Sequence, residues 1–510
     1  MAYLLGIDIG TSGTKTVLFD LSGNSVASDT QEYPLYQPQN GWAEQDPEDW
    51  WKASYTSIGN VIKKSGVEAS EIKGIGLSGQ MHGAVLLDKE DKVLRKAIIW
   101  CDQRSARECE EITNRVGARR LIEITANPAL TGFTASKILW VRNHEPEVFD
   151  QVRKVLLPKD YIRLCLTGET ATEVSDASGM QLLDVPNRKW SLEVLDKLGL
   201  DKSMLGKVYE SQEITGQITP KVAALTGLKA GTPVVGGAGD QAAGAVGNGI
   251  VKSGVISSVI GTSGVVFAYT DKVSIDPEGR VHTFCHAVPD TWHVMGVTQG
   301  AGLSLQWFRN QFCQEEMSTA RLIDVDAYQL TDKEAALSQI GANGLIYLPY
   351  LMGERTPHLD PDCRGVFFGL SAKHTKRDMI RAIMEGVAFS LRDCLDIIKK
   401  MGIPVQEVRA SGGGGKSPLW RQIQADLFGT PLYTVNSSEG PALGVALLAG
   451  VGAGEYKSVP EACEATVKVV THQAYGEENH RKYQGYYKLY NTLYTSLKKD
   501  FKTLAGLLEH

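Results

Sequence analysis

Cysteine is scarce in this chain: eight residues among 510, and no two of them form a C-x-x-C pair. That scarcity argues against a disulfide framework and a zinc ribbon, and makes a reducing cytoplasm the expected compartment. Long hydrophobic runs are missing as well. The most apolar stretch, Pro233 to Phe267, is broken by Asp240 and Lys252, and the first residues lack the basic segment of a secretory leader, so neither a membrane span nor a signal peptide is expected. Neither sign of charge dominates, with 53 Lys and Arg against 59 Asp and Glu for a net −6. Scattered charge of this kind points away from nucleic acid and from an anionic membrane as partners. Leu508-Glu509-His510 reads as the stub of an expression tag.

What the chain does have is size and a repeat. Its length suggests two to four domains. Ile9-Gly10-Thr11-Ser12-Gly13 recurs as Ile260-Gly261-Thr262-Ser263-Gly264, each copy entered by a β-type run and followed by a second one. Two related domains are therefore expected, residues 1–250 and 251–510, facing each other across a cleft. Strand-like segments at Ile72 to Leu77, Lys154 to Leu157, Thr232 to Gly236 and Glu407 to Ser411 alternate with helical spacing at Asp46 to Ser65, Arg377 to Lys400 and Ser417 to Phe428. That order predicts mixed α/β domains. Tyrosines between Tyr483 and Tyr494 mark the packed face of a long terminal helix over Tyr475 to Leu504.

Four segments carry candidate chemistry. Gly10-Thr11-Ser12-Gly13-Thr14-Lys15 is either a tight hairpin turn or a cradle of N–H groups, hydroxyls and an ammonium for phosphate oxygens; its second copy, Gly261-Thr262-Ser263, favours the cradle. Asp8, inside an apolar strand, either binds Mg²⁺ near those phosphates or joins a local network. Gly237 to Ala242 matches G-x-G-x-x-A, but the acidic residue a dinucleotide fold needs further on is missing, which leaves Asp240 as a helix cap or as the acceptor of a substrate hydroxyl's proton. A helix start favours its ionised form, hence a weak base that receives the proton late. Gly412 to Ser417 is not a Walker A loop, because the first glycine of that motif falls at Ala410; a flat glycine surface against an adenosine, or a flexible loop, is expected. Ser78-Gly79-Gln80-Met81-His82-Gly83 offers polar groups to a polyol, or a structural histidine. His282, Cys285, His286 and His293 are poorly spaced for zinc. Protein-kinase H-R-D and D-F-G motifs are absent.

With both Gly-Thr-Ser-Gly loops, Asp8, the turn ending in Asp240 and the four-glycine loop in this order, the chain resembles the FGGY family of carbohydrate kinases over nearly its whole length. The segments Ser78 to Gly83, Asp46 to Trp51, Leu157 to Tyr161 and Pro349 to His358 resemble members that phosphorylate D-xylulose; glycerol-phosphorylating members carry Arg-Glu where this chain has Met81-His82. The resemblance implies two RNase H-like domains of the actin and hexokinase type with an interdomain cleft, and ATP with Mg²⁺ as cofactors. It implies Asp240 as catalytic base, Asp8 assisting through the metal, and Met81, His82 and Gln241 on the ketose. Thr11, Ser12, Gly13, Lys15, Gly261, Thr262 and Ser263 would hold phosphates, and Gly413 and Gly414 the adenosine. Asp102-Gln103-Arg104 departs from the family's Asn-Asp-Gly-Arg form. Ribulose, L-xylulose and sugar-independent ATP hydrolysis are the alternatives, and a homodimer is the expectation from base rates.

Overall fold

The computed structural model describes residues 1–508; Glu509 and His510, two of the three residues read as a tag stub, lie outside them. The first half is built on strands β1 (Tyr3–Ile9), β2 (Gly13–Asp20), β3 (Ser25–Glu32), β4 (Ile72–Gly79), β5 (Ile214–Gln217), β6 (Pro233–Val235) and β7 (Ala238–Gly239). The second half uses β8 (Gly254–Ile260), β9 (Gly264–Thr270), β10 (His282–Cys285), β11 (Trp292–Thr298), β12 (Val405–Ser411), β13 (Leu432–Val435) and β14 (Val469–Gln473). One sheet runs β5-β6-β4-β1-β2-β3, with β7 beside β4, and the other runs β10-β11-β9-β8-β12-β13-β14.

Their plan is the same. In each, an antiparallel hairpin made at the Gly-Thr-Ser-Gly turn (β1/β2, β8/β9) is followed by an antiparallel third strand, while a later strand (β4, β12) joins the first in parallel. The sequence repeat is thus a structural repeat, and the strands and helices expected from apolar spacing stand within two residues of their expected bounds at the segments named above, apart from the terminal helix. Helix starts follow their chemistry: Asp46 accepts from the Glu48 N–H at 3.1 Å ahead of Pro47, and Ser417 accepts from the Trp420 N–H at 3.0 Å ahead of Pro418. The terminal helix, Glu477–Leu508, runs further than its pattern suggested, and Tyr483, Tyr487, Tyr490 and Tyr494 are buried in the core of the second half. Among the described residues no helix is long and apolar enough to cross a membrane.

Two helices lock the halves together. α1 (Asp240–Gly247) leaves the first sheet, and α2 (Gly440–Gly452) leaves the second. α2 lies across the first sheet at backbone contact: a Cβ on Gly6 would stand 2.0 Å from the Ala442 carbonyl oxygen, and one on Gly76 would stand 1.9 Å from that of Val445. The two helices also touch each other, since a Cβ on Gly444 would meet the Ala243 carbonyl oxygen at 1.9 Å and one on Gly247 that of Gly440 at 1.9 Å. Only glycine allows these approaches. Ala242, Ala243 and Val246 of α1 share one core with Val445 and Leu448 of α2 and with Val265 and Phe267 of the second sheet.

Gly76→Ala is expected to destabilise the protein by about 1–3 kcal/mol or more, because the methyl group meets main chain that cannot move aside. Gly485→Ala, where nothing lies within 4 Å of the added carbon, is expected to be neutral or slightly stabilising. Chemical denaturation of both variants checks this; equal midpoints would show that the sheet and α2 are not in contact.

Candidate active site

Asp240 is the first residue of α1, directly after β7. The turn that delivers it is held from below by buried charge. Arg163 donates to the Gly236 carbonyl oxygen, and the Gly239 N–H donates to Ser175 Oγ at 3.1 Å. Glu173 binds the Ser175 hydroxyl and N–H, and Lys159 bridges Asp160, Glu173 and Asp176 within 3.3 Å, all fully buried. Gly237 has φ +69, a left-handed conformation, with no room for a Cβ beside the Leu77 carbonyl. The Asp240 carboxyl is half-buried at the floor of the cleft. Burial, and then the negative charge of Asp8, push its pKa up to about 7. The helix start, which by itself would keep Asp240 ionised and a weak base, is opposed here by desolvation and a like charge.

Asp8 faces Lys15 on β2 and Ser78 on β4 in the strand register. Its Oδ1 is buried without a hydrogen-bond partner, and its pKa is raised chiefly by burial. The nearby ammonium of Lys15 forms an ion pair of 2.5 Å with Glu439, the residue that precedes α2. Lys15 thus ties the two halves together across the cleft. Among the described residues no group of three His, Cys, Asp or Glu could hold a metal ion; the protein side of any Mg²⁺ site here is carboxylate oxygen from Asp8, with Asp240 near enough for its pKa to respond to Asp8. An orphaned carboxylate oxygen suits a hard cation that takes its other ligands from phosphate and water.

The Met81-His82 turn reaches the same place. A Cβ on Gly239 would stand 2.9 Å from Met81 Cγ, so the methionine packs directly beneath the residue before Asp240. His82 adopts φ 72 and packs edge-on against Phe133 at 4.8 Å. Its Nδ1 is 2.8 Å from the Gly179 carbonyl oxygen. A carbonyl only accepts, so Nδ1 carries the proton, and burial beside the Lys137 ammonium holds the ring neutral. Nε2 has no protein partner among the described residues. Lys137 donates to the His82 carbonyl at 2.8 Å and to that of Gly132 at 2.5 Å, and burial lowers its own pKa to about 7.

Two adjoining cavities lead away from Asp240. The nearer, about 530 Å³, is lined by Asp240, Gln241, Gly412, Gly413, Lys416 and the α2 start at Gly440. The further, about 610 Å³, is lined by Gly261, Thr262, Gly413, Gly414, Lys416 and, on its outer wall, Tyr328, Gln329 and Asp332. Gly413 and Lys416 border both. The four glycines form one helical turn, Gly412–Gly415, rather than the flat surface or loose loop expected: Gly412 has φ +75, and Gly414 packs against Ile260. Ser263 is spent on its own turn, its carbonyl accepting from the Gly261 N–H at 2.9 Å.

The first loop lines neither cavity. Thr11 accepts from the indole N–H of Trp100 at 2.9 Å and contacts Gln80 at 3.4 Å, Gly13 is hemmed in by Gln31, and Ser12 is exposed. Asp102 and Arg104 bond to each other at 2.7 Å, with Arg104 also on Glu44 at 2.7 Å and stacked 3.6 Å from Trp42; both side chains are buried. Trp100 and Lys137 escaped the sequence reading, whereas Arg355 lies in the Pro349 to His358 segment already singled out. A tryptophan following three apolar residues, and a lysine among apolar neighbours before Trp140, were the signals available.

The chain matches the FGGY family of carbohydrate kinases, the N-terminal domain over residues 3–247 and the C-terminal domain over 256–453. It is 41% identical to the xylulose kinase of Bacillus subtilis, across 98% of either chain, and 43% identical to that of Escherichia coli, across 90% of this chain and 91% of that one. The ligand-bound xylulose kinase from Lactobacillus acidophilus superposes with a TM-score of 0.91 at 29% identity, covering 99% of this chain and 100% of that one. These likenesses give the duplicated sheets the actin and hexokinase type of fold. A repeated phosphate-type hairpin, a carboxylate at the cleft floor and full-length similarity agree: the chain belongs to the FGGY family of carbohydrate kinases.

Proposed function

We propose that the protein transfers the γ-phosphoryl group of ATP to the terminal hydroxyl of D-xylulose, forming D-xylulose 5-phosphate, with Asp240 as catalytic base. The observation that carries this reading is the position of Asp240: the one raised carboxyl that lines the nearer cavity also stands beside the Met81-His82 turn. The sugar side belongs to residues 1–250 and the nucleotide side to 251–510. Full-length similarity to xylulose kinases of two bacteria supports the choice of sugar.

In this reading the nucleoside occupies the further cavity, against Gly413, Gly414, Gly261 and Thr262. The phosphates pass Lys416 into the nearer one and end at Asp240. Thr11, Ser12, Gly13, Lys15 and Ser263 shape the hairpin turns, and none of them lines either cavity. The ketose sits on Met81 with a hydroxyl donating to His82 Nε2, and Gln241 beside it. Asp240 takes the proton of the attacking hydroxyl as its oxygen bonds to phosphorus and the bond to the ADP oxygen breaks in line. Asp8 would hold Mg²⁺ directly or through its water, and the ion, when bound, would neutralise phosphate charge. Residues from both halves exclude water, which would otherwise accept the phosphoryl group. The free cysteines fit a cytoplasmic enzyme.

Replacing Asp240 with Asn is expected to lower D-xylulose-dependent ADP release by about 10²–10⁴-fold while ATP still binds; turnover near that of the wild type would remove Asp240 as base. The pH profile is a second check. A carboxyl raised to about 7 is protonated below that value and cannot accept a proton, so kcat/KM should rise with pH through about 7. Asp8→Asn removes the like charge, so beyond slowing the reaction it should move that limb to lower pH. A limb that stays in place in the variant would show that Asp8 does not act on Asp240.

A further inference from the structure

Arg355 is half-buried, and it differs from the arginines that are enclosed by their partners. Arg104, Arg163 and Arg381 each hold a carboxylate within 2.7 Å. The Arg355 guanidinium has neither an ion pair nor a hydrogen bond among the described residues, although burial depresses its pKa. A half-buried guanidinium with no protein acceptor keeps its fork of N–H donors free for a ligand.

Everything around it is pinned. Glu354, the neighbouring carboxylate, is consumed by Thr298 Oγ1 at 2.6 Å, the Gln299 and Arg355 N–H groups at 2.8 Å each and Ser390 Oγ at 3.2 Å. Thr356 bonds to the β11 backbone, its N–H donating to the Val297 carbonyl at 2.9 Å and its Oγ1 accepting from the Val297 N–H at 3.1 Å. The loop is therefore fixed while the side chain it presents is unpaired. That side chain leaves the second half and crosses to the sugar side of the first. Nη2 lies 3.6 Å from where a Cβ on Gly132 would be, and the charge is felt by His82 and His282. Gly132 and His82 share the Lys137 ammonium, so Arg355 arrives beside the Met81-His82 turn, on the far side of His82 from the Met81 contact with Gly239.

We infer that Arg355 is a substrate-binding residue whose guanidinium donates to the carbonyl and hydroxyl oxygens at the C1–C2 end of the ketose, remote from the hydroxyl that is phosphorylated. This rests on the reading under Proposed function. It also makes the sugar site a product of both halves, because the loop that carries Arg355 is anchored wholly in the second. A planar fork of donors suits adjacent oxygens better than an ammonium would.

Steady-state kinetics of wild type, Arg355→Met and Arg355→Lys, with D-xylulose and with 1-deoxy-D-xylulose, test it. The Met variant should raise the KM for D-xylulose by about tenfold or more with the KM for ATP little changed, and the wild-type preference for D-xylulose over the deoxy sugar should vanish. The Lys variant should fall between, and carries the same test should the Met variant fail to fold. An unchanged KM, or a raised KM with the deoxy preference intact, overturns the assignment. A wild type that leaves D-xylulose unphosphorylated overturns the proposed function with it, whereas active wild type with an unaffected variant overturns this inference alone.

Discussion

Backbone-to-backbone contact between the first sheet and α2 is the constraint on which the rest of this structure depends. Side chains cannot fit there: Gly6, Gly74 and Gly76 on the sheet meet Ala442, Ala449 and Val445 on the helix at distances that no Cβ tolerates. A helix of the second half is thereby seated on the first, and it crosses α1 with equally little clearance. The residues that begin these two helices are the ones that matter in the cleft. α1 opens with Asp240, and the residue before α2, Glu439, pairs with Lys15. The contact that joins the halves thus also sets where the carboxylate stands relative to the hairpin turn.

Electrostatics at that junction follows from the packing. Asp8 and Asp240 are brought close in a poorly hydrated place, while the nearest ammonium, Lys15, is engaged with Glu439. Acidic groups in that setting resist ionising, which lifts Asp240 into the range where a base works near neutral pH. Beneath them, Lys159 and Arg163 are compensated by Asp160, Glu173 and Asp176. Breaking such a network by removing one partner is costly, so it holds the Asp240 turn rigidly. Asp8 Oδ1, His82 Nε2 and the Arg355 guanidinium, by contrast, have no hydrogen-bond partner among the described residues.

Much of this was readable from residues alone, for a physical reason. Strands such as Tyr3–Ile9 and helices such as Pro47–Ser65 have one apolar face and capped ends, so period and caps betray them. The repeated hairpin needed the same small residues twice. α2 escaped because Gly-Pro-Ala-Leu-Gly-Val-Ala-Leu-Leu-Ala-Gly is apolar all round, being buried between two bodies, and shows no polar face. The glycines of β1 and β4 read as weak strand formers, and their purpose shows only once α2 lies on them. The Asp240 pKa depends on Asp8, distant in sequence, and Arg355 lies in a segment the sequence singles out, but its lack of a partner shows only in the structure. Asp102 and Arg104, whose turn departs from the family's form, bond to each other, a pairing that spacing alone does not reveal.

The most direct test of the account is ADP release with MgATP across D-xylulose, L-xylulose, D-ribulose, L-ribulose, glycerol, gluconate and no sugar. Strong turnover with D-xylulose and little with the others is the predicted result. Preference for another sugar would contradict the assignment of the Met81-His82 turn to D-xylulose, and equal ADP release without any sugar would contradict the kinase mechanism itself.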